Sequence, residues 1–384
     1  MQKDFHYYAT YCAAFLAGYR HAECLRICTA AQFVDLCSRT LLEKVEAPKS
    51  AATTQLAMEM ASARTDILGR QDITRIWASF HFLPYDLYAE KKGCSRRYRN
   101  KYRLICKPNG ALVKDTVELA KGAGLEAVGL AMHVLADTWA HSNFAGTPSL
   151  VINNTNYYFY EQLPDESWRE IRFQHSPSAP DDLEKGVYTN SLYQANENSV
   201  MNLGHWRAGH LPDYSFMRFK YLPAWDDYRE LVKDNPNDYL HAFCQMIEAM
   251  KYLRGERESF ELDRYDWDAV VPYEQELREI ICPRRLIACE EWKAFGEKLS
   301  GREIPDISIA RIQLEYMNAE GQEKQDSFLG RFVLAALAQK SMVTNRVFKS
   351  GSLLAGFSVE LSGKGLKGIR DYWLLLTEAR GREE

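Results

Sequence analysis

One run leaves this chain little freedom: VELAKGAGLEAVGLAMHVLADTWA, residues 117–140, rich in Ala, Leu and Glu, with His141 directly after it. Those residue types favour helix, and an apolar stripe beginning at Val117, Leu119 and Ala120 broadens toward Trp139. At about 100° per residue, positions four and eight apart fall on one side of a helix, so His133, Asp137 and His141 share a face. That face is polar within an otherwise apolar helix. Burying an unpartnered imidazole or carboxylate costs several kcal/mol, so these groups need partners.

Each histidine taken singly reads as a core residue satisfied by a hydrogen bond. Three such groups on one face favour divalent metal. His133 and His141 stand about 12 Å apart along the axis, too far for both to reach one ion at a bond length of roughly 2 Å. Asp137 lies midway, and its two oxygens can bridge cations about 3.5 to 4 Å apart while each histidine serves one of them. The helix therefore implies a multinuclear site.

Only nine histidines occur in the 384 residues. His6 lies on a first predicted helix, Asp35 in AQFVD and His81 in ITRIWASFHFLP, where Pro84 ends the helix. His205, His210 and Asp213 cluster in NLGHWRAGHLPDY, and a helix ending near Gly209 would let both histidines converge; His205 with Asp213 is the other pairing. His21, His175 and His241 lack a partner at useful spacing and read as surface or core residues. The nitrogen and oxygen donors suit zinc, with manganese or iron as alternatives, and the lack of a thiolate set argues for an open hydrolytic site rather than a closed structural one.

Helical patterning dominates residues 1–150 and resumes after Trp225, whereas residues 147–223 are dense in Asn, Pro and Asp and read as long loops with short irregular elements. The expected architecture is all-α, or mainly α. The expected organisation is a metal-dependent catalytic region at 1–224 and a helical region at 225–384, packed separately or in one domain. The stretch ISIARIQLEYM fits helix or strand, and CSRRYRNKYR, residues 94–103, reads as a solvated basic loop. A net charge of -4 without a basic stripe disfavours nucleic acid as partner. No secretory leader or stretch of about 18 apolar residues is visible, and the nine cysteines show no paired CxxC spacing. A cytoplasmic protein, or one secreted by a signal-peptide-independent system, is expected.

The order His6, Asp35, His81, HVLAD at 133–137, then His141, resembles that of the zinc-dependent phospholipase C and P1/S1 nuclease superfamily. The elements MQKDFHYY, AQFVD, DTWAH and GHLPD resemble a signal-less bacterial branch of it, over about residues 1–216. The resemblance implies an all-helical enzyme with a cleft for two or three Zn2+ ions, hydrolysing phosphodiesters with Asp35 and Asp137 orienting water as well as binding metal. A phospholipid is the implied substrate, with peripheral membrane contact; a single-strand nuclease or nucleotidase is the alternative within the superfamily. A non-enzymatic helical effector with a structural metal site is the alternative outside it. Three features depart from the family. The final pair lacks its HxxxE or HxxxD spacing. His141 follows Asp137 sooner than the family's histidine does. The α-amine that the secreted enzymes use as a ligand is available only if Met1 folds back over the site.

Overall fold

The computed structural model describes residues 1–63, 67–175, 179–190 and 202–352. Helices make up most of it, as the patterning predicts, and the helix Leu125–Ala140 runs through its centre, buried at every position after Leu125. The expected single helix from Val117 is two: Ala111–Ala120 and Leu125–Ala140. Gly122 and Gly124 adopt φ of +75° and +97°, left-handed conformations that break the helical ladder and that glycine adopts without a Cβ clash.

Small residues set how closely the neighbours approach. A Cβ added at Gly129 would fall 2.2 Å from the carbonyl oxygen of Ile27 and 2.7 Å from Cβ of Ala30. The helix His21–Phe33 therefore lies nearly backbone-to-backbone against the central helix. It delivers the chain to Asp35 beside the central polar face. On another side, the helix Asn235–Leu253 packs with Gln245, whose side-chain oxygen accepts from Trp139 Nε1 at 2.8 Å. The 22-residue helix Phe328–Lys349 covers a further side. One continuous buried cluster joins Phe5, Phe33 and Leu135 to Phe243, Trp292 and Phe332, so residues before and after 225 share a core.

The segment read as loops carries most of the β structure, and the last strand, at 231–234, lies where helical patterning was expected to have resumed. Strands β1 (Thr155–Gln162), β2 (Trp168–Glu170), β5 (Arg218–Pro223) and β6 (Leu231–Asp234) form an antiparallel sheet in the order β2-β1-β5-β6. Strands β3 (Arg172–Gln174) and β4 (Val187–Thr189) make a parallel pair. Tyr and Phe along β1 suit a half-buried pleat, and Phe159, Phe219 and Tyr221 seal a second buried cluster. The ambiguous ISIARIQLEYM contributes the helix Ile309–Asn318, and the basic stretch forms the helix Arg96–Tyr102, capped by Ser95. All nine cysteines are free. No described helix is long and apolar enough to cross a membrane.

Candidate metal centre

The chain starts in the core. Asp4–Ala9 forms a wide π-helical turn, all six residues buried, with the Phe5 ring edge-on to Tyr239 and Trp292. Asp4 fixes the turn by accepting from the backbone N–H of Ala288 at 2.9 Å. This anchorage lays the His6 ring over that of His133, centroids 3.8 Å apart, and carries the Met1 amine to the face of the central helix.

Three groups of donors meet there. In the first, Nδ1 of His81 lies 3.3 Å from Nε2 of His133, 3.2 Å from Oδ2 of Asp137 and 3.8 Å from Oδ1 of Asp35. His133 Nε2 is 3.1 Å from that Asp137 oxygen and 3.9 Å from that Asp35 oxygen. Ligands of a four-coordinate zinc with bonds of roughly 2.0–2.1 Å stand roughly 3.3 Å apart, so these four side chains match the edges of one coordination shell. In the second group, Asp137 turns its other oxygen, Oδ1, toward Nε2 of His6 at 3.1 Å and the Met1 amine at 3.0 Å. In the third, Asp213 stands 3.2 Å from His141 Nε2 and 3.7 Å from His205 Nε2, with the Met1 amine 3.1 Å from its Oδ1. The geometry places Asp137 between two sets of nitrogen donors, the placement expected of a bridging carboxylate.

Backbone carbonyls orient the histidines. His81 donates from Nε2 to Thr53 O at 3.0 Å, His141 from Nδ1 to His81 O at 2.7 Å, and His205 from Nδ1 to Gly209 O at 2.8 Å. Because a carbonyl only accepts, each contact places a proton on that ring nitrogen and aims the opposite one at the carboxylates, the orientation found around metal-ligating histidines. Gly209 has φ +57°, and a Cβ there would lie 2.1 Å from Thr189 O, so this carbonyl needs glycine to reach its place. Nδ1 of His6 and Nδ1 of His133 are buried without a hydrogen-bond partner, and Nε2 of His6 has only the Asp137 carboxylate beside it. Buried polar atoms without partners are rare, and a donor set of imidazoles and carboxylates with bare nitrogens fits a divalent cation.

Electrostatics follow from this crowding. Burial works against the charged forms of Asp137 and Asp213, yet His141 and the Met1 ammonium hold Asp137 well below the usual carboxylate range, and the ammonium with His205 does the same for Asp213. Burial also disfavours the ammonium, but Asp137 and Asp213 outweigh it and lift its pKa to about 11. Burial depresses His6 and His205 to about 4 each.

The remaining sequence candidates sort clearly. His6, Asp35, His81, His133, Asp137, His141, His205 and Asp213 converge. His210 stands outside all three groups: its side chain is 63% exposed and its Nδ1 lies 3.3 Å from Asp213 Oδ2. The helix expected to end near Gly209 is a single 3-10 turn, Trp206–Ala208, too short to align His205 with His210. His21 pairs with Tyr11 OH, His175 with Asn190 O and His241 with Asn237 O, all away from the centre. The glycine-rich residues 363–368 lie outside the described residues. Sequence reasoning missed the carbonyls of Thr53 and Gly209 and the side chain of Gln32, which donates to Asp35 at 3.3 Å.

The sequence pattern of a family described as a family of unknown function, DUF6765, matches residues 1–347. No curated protein and no solved structure matches the chain. With nine-tenths of its length matched, and the whole candidate centre inside the match, the chain belongs to the DUF6765 family.

Proposed function

We propose that the protein is a metal-dependent phosphodiester hydrolase, acting on phospholipid head groups through a centre of two or three Zn2+ ions. The observation that carries this reading is Asp137, whose two oxygens face different sets of nitrogen donors across one buried helix face. The order of donors along the chain, which resembles that of zinc-dependent phospholipases C and P1/S1 nucleases, supports it. Bound divalent cations supply the acidified water and the polarised phosphoryl oxygen that phosphodiester hydrolysis needs at neutral pH.

The chain's own residues set the rest. Asp35 is 30% exposed, against 1% for Asp137, so it is the carboxylate that meets solvent and can align an attacking water, steadied by Gln32. Asp137, His133 and His6 are sealed and hold position. Beside His81 the half-buried Trp77, 4.8 Å ring to ring, and Trp206 border a small apolar cluster of Met60, Ile73 and Leu203. This wall suits an apolar or quaternary-ammonium substrate better than a polyanion. The nearby Tyr7, Tyr8, Phe80, Phe82, Phe144 and Phe159 are core.

Elemental analysis of the purified full chain, followed by hydrolysis of a chromogenic phosphocholine ester with single-stranded DNA as comparator, tests the reading. At least two bound equivalents are expected, with ester cleavage lost on chelation and restored by Zn2+. Preferred cleavage of DNA would move the substrate to nucleic acid. Metal without either activity would leave a structural centre and overturn the enzymatic reading.

A further inference from the structure

His81 sits where two segments of the chain meet, and both are held from the opposite end of the sequence. The helix Ile67–Phe80 ends just before it. The last carbonyls of a helix have no partner within it. Here Trp77 O accepts from the N–H groups of His81 and Phe82, and Ser79 O accepts from Nε2 of Gln339 at 3.1 Å. The same amide donates to Thr116 Oγ1 at 2.9 Å, so the Gln339 side chain is pinned from two directions.

The second segment is the loop that supplies the Thr53 carbonyl to the His81 ring. Thr53 is tied to its neighbours through its N–H to Cys37 O at 3.0 Å and its hydroxyl to Val34 O at 2.6 Å. Just before it, Ser50 O and Ala52 O both accept from Nζ of Lys340, each at 2.6 Å. The Lys340 amino group is buried, which pulls its pKa down to about 7, and lies 5.7 Å from the Phe80 ring centroid. Consecutive residues on a helix diverge by about 100°, which lets adjacent positions on Phe328–Lys349 reach the two segments separately.

We infer that Gln339 and Lys340 are positioning residues for His81, holding Ser79 O and, through Ser50 O and Ala52 O, the loop that presents Thr53 O, so that the ring keeps its proton on Nε2 and offers bare Nδ1 to Asp35, His133 and Asp137. The inference rests on the metal reading of that group. Without Lys340 the buried carbonyl of Ala52 and the part-buried one of Ser50 lose this donor, the loop shifts, and the ring is free to rotate or change tautomer. Outer partners of ligating histidines are worth about 10- to 100-fold in metal affinity.

The test uses the full chain with Lys340→Met, Lys340→Arg and Gln339→Leu. In chelated protein, 15N spectra of the histidines should show His81 as a single Nε2–H tautomer in the parent and a mixture in Lys340→Met and Gln339→Leu. On titration with Co2+, both should bind about 10- to 100-fold more weakly with an altered visible spectrum, and Lys340→Arg should recover most of the affinity. A purely structural role would lower the melting temperature but leave tautomer, affinity and spectrum unchanged, which would overturn the inference. Should Lys340→Met fail to fold, Gln339→Leu decides by the same readouts. A parent protein that binds no Co2+ would defeat the metal reading instead, and the tautomer spectra would still decide whether these residues hold His81.

Discussion

The α-amine of Met1 stands 3.0 Å from Oδ1 of Asp137, a residue 136 positions further along the sequence. The other Asp137 oxygen, Oδ2, faces His81 and His133. One carboxylate therefore serves two sets of donors, and its replacement should disturb both. Asp137→Asn is expected to abolish phosphodiester turnover and release more than one metal equivalent while far-ultraviolet circular dichroism stays near that of the parent. Full metal content in this variant, measured by elemental analysis, would refute a bridging role.

His205 and His210 are separable by the same measurement. His205 is held by Gly209 O with Nε2 toward Asp213, whereas His210 is exposed at the rim. His205→Ala should lose one metal equivalent. His210→Ala should keep all of them, with at most a small effect on turnover.

Acid should destabilise the metal-free protein through its buried imidazoles. His6 and His205 have ordinary values of 6.5 when unfolded and are depressed by burial to about 4 when folded. Between those limits the unfolded chain binds more protons, so these groups favour unfolding progressively as pH falls from 6.5 to 4. In urea titrations of chelated protein, His6→Gln should remove one proton's share of that slope, about 1.4 kcal/mol per pH unit. An unchanged slope would show that His6 is protonated in the folded chain.

Phe82 offers a route to the centre that replaces none of its donors. Its ring stacks on His141 with centroids 4.7 Å apart and tilts against His205 at 5.7 Å. Gly204 has φ +53°, and a Cβ there would fall 2.1 Å from Phe82 Cζ. Gly204→Ala should cost about 1–3 kcal/mol of stability from strain and overpacking, and weaken metal binding at the third group by pressing Phe82 onto both imidazoles. Chemical denaturation and Co2+ titration would check the two effects separately.

Glu161 supplies a control. It is fully buried in β1, accepts from Arg169, Arg284 and the Tyr188 hydroxyl, and so fastens the sheet to the segment before the helix Cys289–Ser300. Glu161→Leu strands two guanidinium groups and should cost about 3 kcal/mol, tempered by their partial exposure. Metal content should not change. A lost equivalent would mean that the sheet props the centre.

Sequence and structure agree where chemistry is written in side chains with a period. His133, Asp137 and His141 declared a polar face because helix geometry converts a spacing of four into a shared side, and Asp35 and His81 joined them through residue type. Asp213 and His205 were visible only as a local concentration, since a 3-10 turn and a left-handed glycine have no long period to read. Thr53 O and Gly209 O are main-chain atoms, present in every residue and carrying no residue-type signal, whereas the Met1 amine was offered only on condition that Met1 folds back over the site, as it does. The strands at 155–223 hid behind Asn, Pro and Asp in their connections, although the aromatic run of β1 carried strand propensity. The break at 121–124 was legible in its two glycines, but helix propensity on both sides outweighed them.

His81 works twice. Its ring faces Asp35 and His133, and its main-chain oxygen steers the ring of His141 toward Asp213. Trimming the imidazole would empty one pocket and spare the other, whereas a shift of the polypeptide at this residue would misalign both together. The cluster is thus mechanically linked through a single peptide unit, and on the proposed metal reading ions should load and unload in concert rather than one by one.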